Sequence, residues 1–221
     1  MKAVCLCLLV FVLSSCSGLQ VATPPQLSAK NADPQELQRC KQTFVEGNWQ
    51  FVHSITFEMA NGHGATVIGV TVLDGEILKT GLMGVEGFVL FEAELDKEKK
   101  LDIRRALPPF DNTEFALGLV HDVQTIFLQP SGENPVTGQL SDGSSLCRYV
   151  AENGQIHDVV IELDGSSRIN VYDVNAKRTR SVIMEGGRPV ENEMIPEKIQ
   201  LKAHGLRGYT LNMTLISADK I

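Results

Sequence analysis

The sequence predicts a mainly β, α+β domain in which one large curved antiparallel sheet of about a dozen strands is interrupted by two helices. Three observations predict it. Apolar residues recur at period two through short runs, separated by turn dipeptides such as Asp74-Gly75, Asn153-Gly154 and Asp164-Gly165. Only two stretches combine a capping residue with apolar residues at helical spacing. Both faces of several strands are apolar: over residues 66–73, Val67 and Leu73 fall on one side and Ile68, Val70 and Val72 on the other. A sheet of that kind either curls around an apolar hollow that the helices partly plug, or closes as a filled barrel.

The first helix opens at Asp33-Pro34-Gln35-Glu36, with Asp33 as cap, Pro34 at the first helical position and Glu36 at the reciprocal capping position. Leu37, Cys40, Phe44 and Val45 share one face, and Gly47 is the expected stop. From Trp49 the period becomes two. Trp49, Phe51, His53, Ile55, Phe57 and Met59 point one way. Strands follow at 65–73, 76–82, 87–95 and 101–106, making a meander. Leu107-Pro108-Pro109-Phe110 breaks it, and Asp111, with Glu114 three residues on, caps a second helix. Its apolar stripe is Phe115, Leu119, Val123, Ile126 and Phe127, and Gln129-Pro130 stops it. Short strands resume at 136–140, 145–151, 155–163, 168–174, 179–184, 197–203 and 208–217.

The chain has 221 residues, long enough for one domain with appendages. With 27 acidic against 20 basic residues its net charge is −7, which excludes a nucleic-acid binder dependent on a basic stripe. Met1-Lys2 precedes an apolar run of eleven residues, 3–13, too short for a stable membrane span of about 20. Leu13-Ser14-Ser15-Cys16 resembles a bacterial lipobox. The resemblance implies a signal peptide at 1–15, diacylation of Cys16, and a membrane anchor with no span. Ser17 after the anchor implies outer-membrane sorting, with the body facing the periplasm. Residues 16–32 then read as lipidated Cys and flexible tether, and 33–221 as the folded domain.

Chemistry is sparsely signalled. His53, His63, His121, His157 and His204 are scattered, without metal-ligand spacing. There is no nucleophile elbow, Walker loop or dinucleotide fingerprint, so neither an enzyme nor a cofactor is expected. Glu92 and Glu94 share a strand face, best read as solvated, and Arg104-Arg105 reads as surface. Cys40 and Cys147 remain once the signal and anchor cysteines are set aside; they form a disulfide or sit as two buried thiols.

The lipobox, tether, N-terminal helix, meander, mid-chain helix after a Pro-containing break, and closing strands together resemble the bacterial LolA/LolB-like lipoprotein fold. The similarity spans most of residues 33–217. It is best over 49–95, where Gly81-Leu82-Met83-Gly84 lies between strands, and at Ile195-Pro196-Glu197-Lys198-Ile199-Gln200-Leu201 followed by 209–216. It implies an unclosed barrel with a helical lid over an apolar cavity that holds acyl chains of a lipid or lipoprotein. The expected cavity residues are Phe51, Ile55, Phe57, Ile68, Val70, Phe88, Leu90, Ile161, Val171, Leu211 and Met213, with Phe115 and Leu119 on the lid. The resemblance also implies a membrane- or partner-facing loop at Leu82, Met83 and Val85. The alternative is a structural lipoprotein with a filled barrel, docking a periplasmic carrier or another protein of a cell-envelope machine.

Overall fold

The computed structural model describes residues 23–27, 33–60, 62–132, 135–205 and 208–221. The signal segment, Cys16 and most of the tether lie outside them. Helix α1 (Pro34–Lys41) is capped by Asp33, whose side chain accepts the Gln35 N–H at 2.8 Å. It ends at Lys41, before the expected stop at Gly47, because Thr43 and Phe44 N–H already bond back to Cys40 and Lys41 carbonyls in tight turns. Phe44 is nonetheless buried.

The meander runs as β1 (Trp49–Met59), β2 (Gly64–Asp74), β3 (Ile77–Gly84), β4 (Val89–Leu95) and β5 (Leu101–Ala106). Gly75 takes φ +60° in the tight β2–β3 turn, a conformation costly for a side chain with Cβ. Helix α2 (Thr113–Phe127) is capped by Asn112, which accepts the Phe115 N–H at 3.1 Å; the expected cap, Asp111, lies one residue too early. Then follow β6 (Val136–Gln139), β7 (Ser145–Val150), β8 (Ile156–Ile161), β9 (Ser167–Tyr172) and β10 (Arg178–Glu185). A small hairpin, β11 (Arg188–Val190) and β12 (Glu193–Ile195), precedes β13 (Lys198–Ala203) and β14 (Tyr209–Lys220).

Among the described residues twelve strands form one antiparallel sheet in the order β5-β4-β3-β2-β1-β14-β13-β10-β9-β8-β7-β6. The C-terminal strand β14 pairs with β1 along its length and joins the two meanders. Strands β5 and β6 are the two ends of the sheet, so the barrel is not closed. On β5 the edge carries Asp102, Arg104 and Arg105, and Arg104 is tied to Glu94 at 2.6 Å. That accounts for Glu94 and its neighbour Glu92 as a solvated ionic face.

The inner face buries Trp49, Phe51 and Ile55 of β1 against Phe127 and Ile126 of α2 and against Val171, Val182 and Leu201 of the C-terminal strands. Sulfur atoms of Cys40 and Cys147 are bonded at 2.02 Å, joining α1 to β7 across 107 residues of sequence. The described core is drawn from residues 37–218. On the outer face Arg148 holds the buried Asp158 through two bonds of 2.7 Å and reaches the Pro25 carbonyl at 3.0 Å. Residues 23–27 therefore lie against β6 and β7, with Leu27 over Gly138.

Candidate functional site

The fold leaves an apolar cavity of about 160 Å³ under the N-terminal half of α2. Its walls come from inward residues of five strands: Ile55 and Phe57 of β1, Ala65 and Val67 of β2, Leu82 of β3, Leu90 of β4, and Tyr209 and Leu211 of β14. Its roof is Phe115 and Leu119 of α2 together with Pro108, Pro109 and Phe110. Phe115 meets Phe57 edge-on at 6.0 Å and Phe110 at 5.5 Å, while Tyr209 lies 5.2 Å from Phe57. The hollow lies among these rings. An engineered cavity of about 150 Å³ takes benzene, so this one accommodates about six carbons as it stands.

The roof helix is pinned by one polar contact set. Asp122 of α2 is fully buried and accepts Arg180 Nε–H of β10 at 2.7 Å on Oδ1 and the Tyr209 hydroxyl of β14 on Oδ2. Burial pushes the Asp122 carboxyl up, opposed by the Arg180 guanidinium and the Tyr209 hydrogen bond. Burial also pushes the Tyr209 phenol up, and the neighbouring carboxylate adds to the effect. A charge taken out of water this far must be paired, so α2 cannot lift without separating Asp122 from Arg180.

Sequence reasoning placed Ile55, Phe57, Leu90, Phe115, Leu119 and Leu211 in the cavity, and the structure brings these six together. Others fall elsewhere. Ile68 and Val70 point outward, because β2 buries Val67, Thr71 and Leu73 instead. Phe88 is 71% exposed in the β3–β4 turn. Phe51 is sandwiched between Trp49 at 5.8 Å and Phe127 at 5.2 Å, and Val171 is fully buried in solid core. Ile161 borders an open groove of about 600 Å³ beside the end of α1, and Met213 a small inner void. Of the expected loop, Leu82 is buried and lines the cavity, because β3 continues through Gly84. Met83 is half-buried, and Val85 is exposed at 67%.

The residues missed were Ala65, Val67, Pro108, Pro109, Phe110 and Tyr209. The signal for Val67 was available. Across the β1–β2 hairpin Ile55 pairs with Val67, and directly paired residues share a face, so the inward parity of β1 carries over to β2. Among the described residues no cluster of three or more His, Cys, Asp or Glu is arranged to hold a metal. His157 and Asp158 lie on opposite faces of β8, the latter engaged with Arg148.

No protein-family profile matches the sequence, and no curated protein matches it. Solved structures do. A LolA superfamily protein from Nitrosomonas europaea superposes with a TM-score of 0.54 at 9% identity, covering 85% of this chain and 92% of that one. A putative outer membrane lipoprotein-sorting protein domain from Vibrio parahaemolyticus gives 0.51 at 10% identity, covering 84% and 90%. A DUF1329 family protein from Desulfovibrio piger gives 0.43 at 8% identity. The unclosed antiparallel half-barrel with a helix laid into its concave face is thus a LolA-like fold.

Proposed function

We propose that this chain is a non-catalytic, membrane-anchored lipoprotein of the periplasm that binds acyl chains of a lipid or lipoprotein for transport or insertion at the outer membrane. In this reading Cys16 carries the lipid anchor, and because residues 23–27 lie against β6 and β7 the spacer to the bilayer is shorter than the expected tether of residues 16–32. The observation that carries the reading is the apolar cavity roofed by α2 and the Pro108-Pro109-Phe110 turn. Burial of six methylenes contributes about 5 kcal/mol before ordering costs, enough to hold a chain segment and weak enough to release it. Longer chains require α2 to lift from Arg180 and Tyr209.

The hairpin whose inner residues Leu82 and Leu90 line the cavity exposes Val85 and Phe88 at its tip. An apolar tip beside an apolar cavity suits contact with a bilayer or a lipid-bearing partner. The putative outer membrane lipoprotein-sorting domain from Vibrio parahaemolyticus shares this fold, which supports the reading. Soluble protein comprising residues 17–221 takes up a fluorescent fatty acid, and Phe57→Asp or Leu90→Asp abolishes most of the uptake. Undiminished uptake by both variants contradicts the assignment. A second reading, a structural lipoprotein docking a protein of the cell-envelope machinery, is favoured only by the solid packing around Val171; it predicts a bound protein and no bound lipid.

A further inference from the structure

Behind the apolar cavity lies a second, smaller void of about 20 Å³, which shares Ile55, Leu82, Leu119 and Leu211 with it as common wall. Its character is different. The lining adds His53, Thr71 and Thr80, each at most 6% exposed, and the buried Asp122, whose carboxylate is already held by Arg180 and Tyr209. Thr71 and Thr80 are direct cross-strand partners on β2 and β3, one row along from His53 and Gly69. His53 Nε2 is fully buried and has no hydrogen-bond partner among the described residues. Burial pushes this imidazole down to about 4, so it is neutral at pH 7. Gly69 leaves room here: a Cβ on it would stand 2.4 Å from Ile55 Cδ1, one of the four side chains that line both voids.

Burying an imidazole nitrogen without a partner is costly, and a void of this size holds about one oxygen-sized group. We propose that the inner void is a head-group site: the cavity takes a single-chain amphiphile with its uncharged alcohol or carboxylic acid end against His53, Thr71 and Thr80. The hydrocarbon then runs outward past Ile55 to Phe57 and Phe115. A carboxylate head is excluded, because the void offers it no cation and already borders the buried Asp122 carboxylate. An acyl chain attached to a protein enters in the opposite sense, its linkage left outside, so the site selects free amphiphiles. This inference rests on the acyl-binding reading above.

The test is NMR on residues 17–221 with methyl-labelled Met and 1-octanol as ligand. Met213 lines the inner void and not the outer cavity. Cross-relaxation between the C1 protons of octanol and the Met213 ε-methyl is the expected result; contact from the octanol terminal methyl instead overturns the orientation. Thr71→Val, which keeps the side-chain shape, weakens 1-octanol roughly threefold to tenfold and leaves 1-chlorooctane within about twofold. His53→Leu repeats that pattern. Equal effects on both ligands, or none, overturn the head-group site while leaving acyl binding in place. Failure of both ligands to bind wild type overturns the acyl-binding reading itself.

Discussion

The two halves of the half-barrel are built from similar strands yet packed differently. Around β7 to β10, Cys147, Val159, Ile169, Val171 and Val182 are all fully buried, and α1 is stapled to β7 by the disulfide. Around β1 to β4 and β14, the roof is a helix end and a Pro turn, and the apolar cavity remains. Small β-branched residues on neighbouring strands interdigitate at crystal-like density in the first region, whereas a cavity remains beneath Phe110 and Phe115 in the second. The same sheet is thus solidly packed at one side and hollow at the other.

The comparison can be broken most strongly at the two fasteners. Replacing Cys147 by Ala removes a link closing 107 residues, a loss of about 5 kcal/mol in the chain-entropy account. Fatty-acid uptake at low temperature is unchanged, because the staple lies in the filled half. Asp122→Ala leaves Arg180 buried and unpaired, costing about 3–5 kcal/mol, and it also accelerates uptake by freeing the roof. Urea unfolding and stopped-flow fluorescence read the two effects; faster uptake in the cysteine variant would contradict the division of roles.

Acid sharpens the contrast next. His53 in the hollow half and His157 in the filled half both titrate near 4 when folded, pushed down by burial from an ordinary value of 6.5. The unfolded chain therefore gains protons first as pH falls. Stability is complete above 6.5 and is lost progressively toward 4, by about 3 kcal/mol for each imidazole. Denaturant midpoints at pH 7 and 4.5 measure the loss, and His53→Leu or His157→Leu each removes one share. The smallest effect on folding is expected at the hairpin tip. Val85→Ser with Phe88→Ser shifts stability by less than about 0.5 kcal/mol, because both side chains are exposed. Delivery of a bound fatty acid to vesicles nonetheless slows.

Much of this architecture was legible in the sequence. Period two in 49–59 placed Phe51, His53 and Ile55 inward correctly, since one face of β1 is distinctly more polar. On β2 both faces are apolar, so alternation alone left its phase open and put Ile68 and Val70 on the wrong side. The β4 residues were shifted by a bulge between Leu82 and Met83, which brings Leu90 inward beside the fully buried Phe91. Pro108, Pro109 and Phe110 read as a break between elements, and their role as roof depends on where α2 docks. The β11–β12 hairpin was missed because strands of three residues carry no periodic signal. Asp122, Arg180 and Tyr209 are 58 and 87 residues from one another in the two contacts, beyond any local pattern.

Native mass spectrometry of the protein released from membranes tests the central claim most directly. A population carrying a noncovalent adduct of acyl-chain mass, lost when Ala65→Trp fills the cavity, is the predicted result. An adduct-free mass together with one stoichiometric bound protein, unchanged by Ala65→Trp, would contradict it.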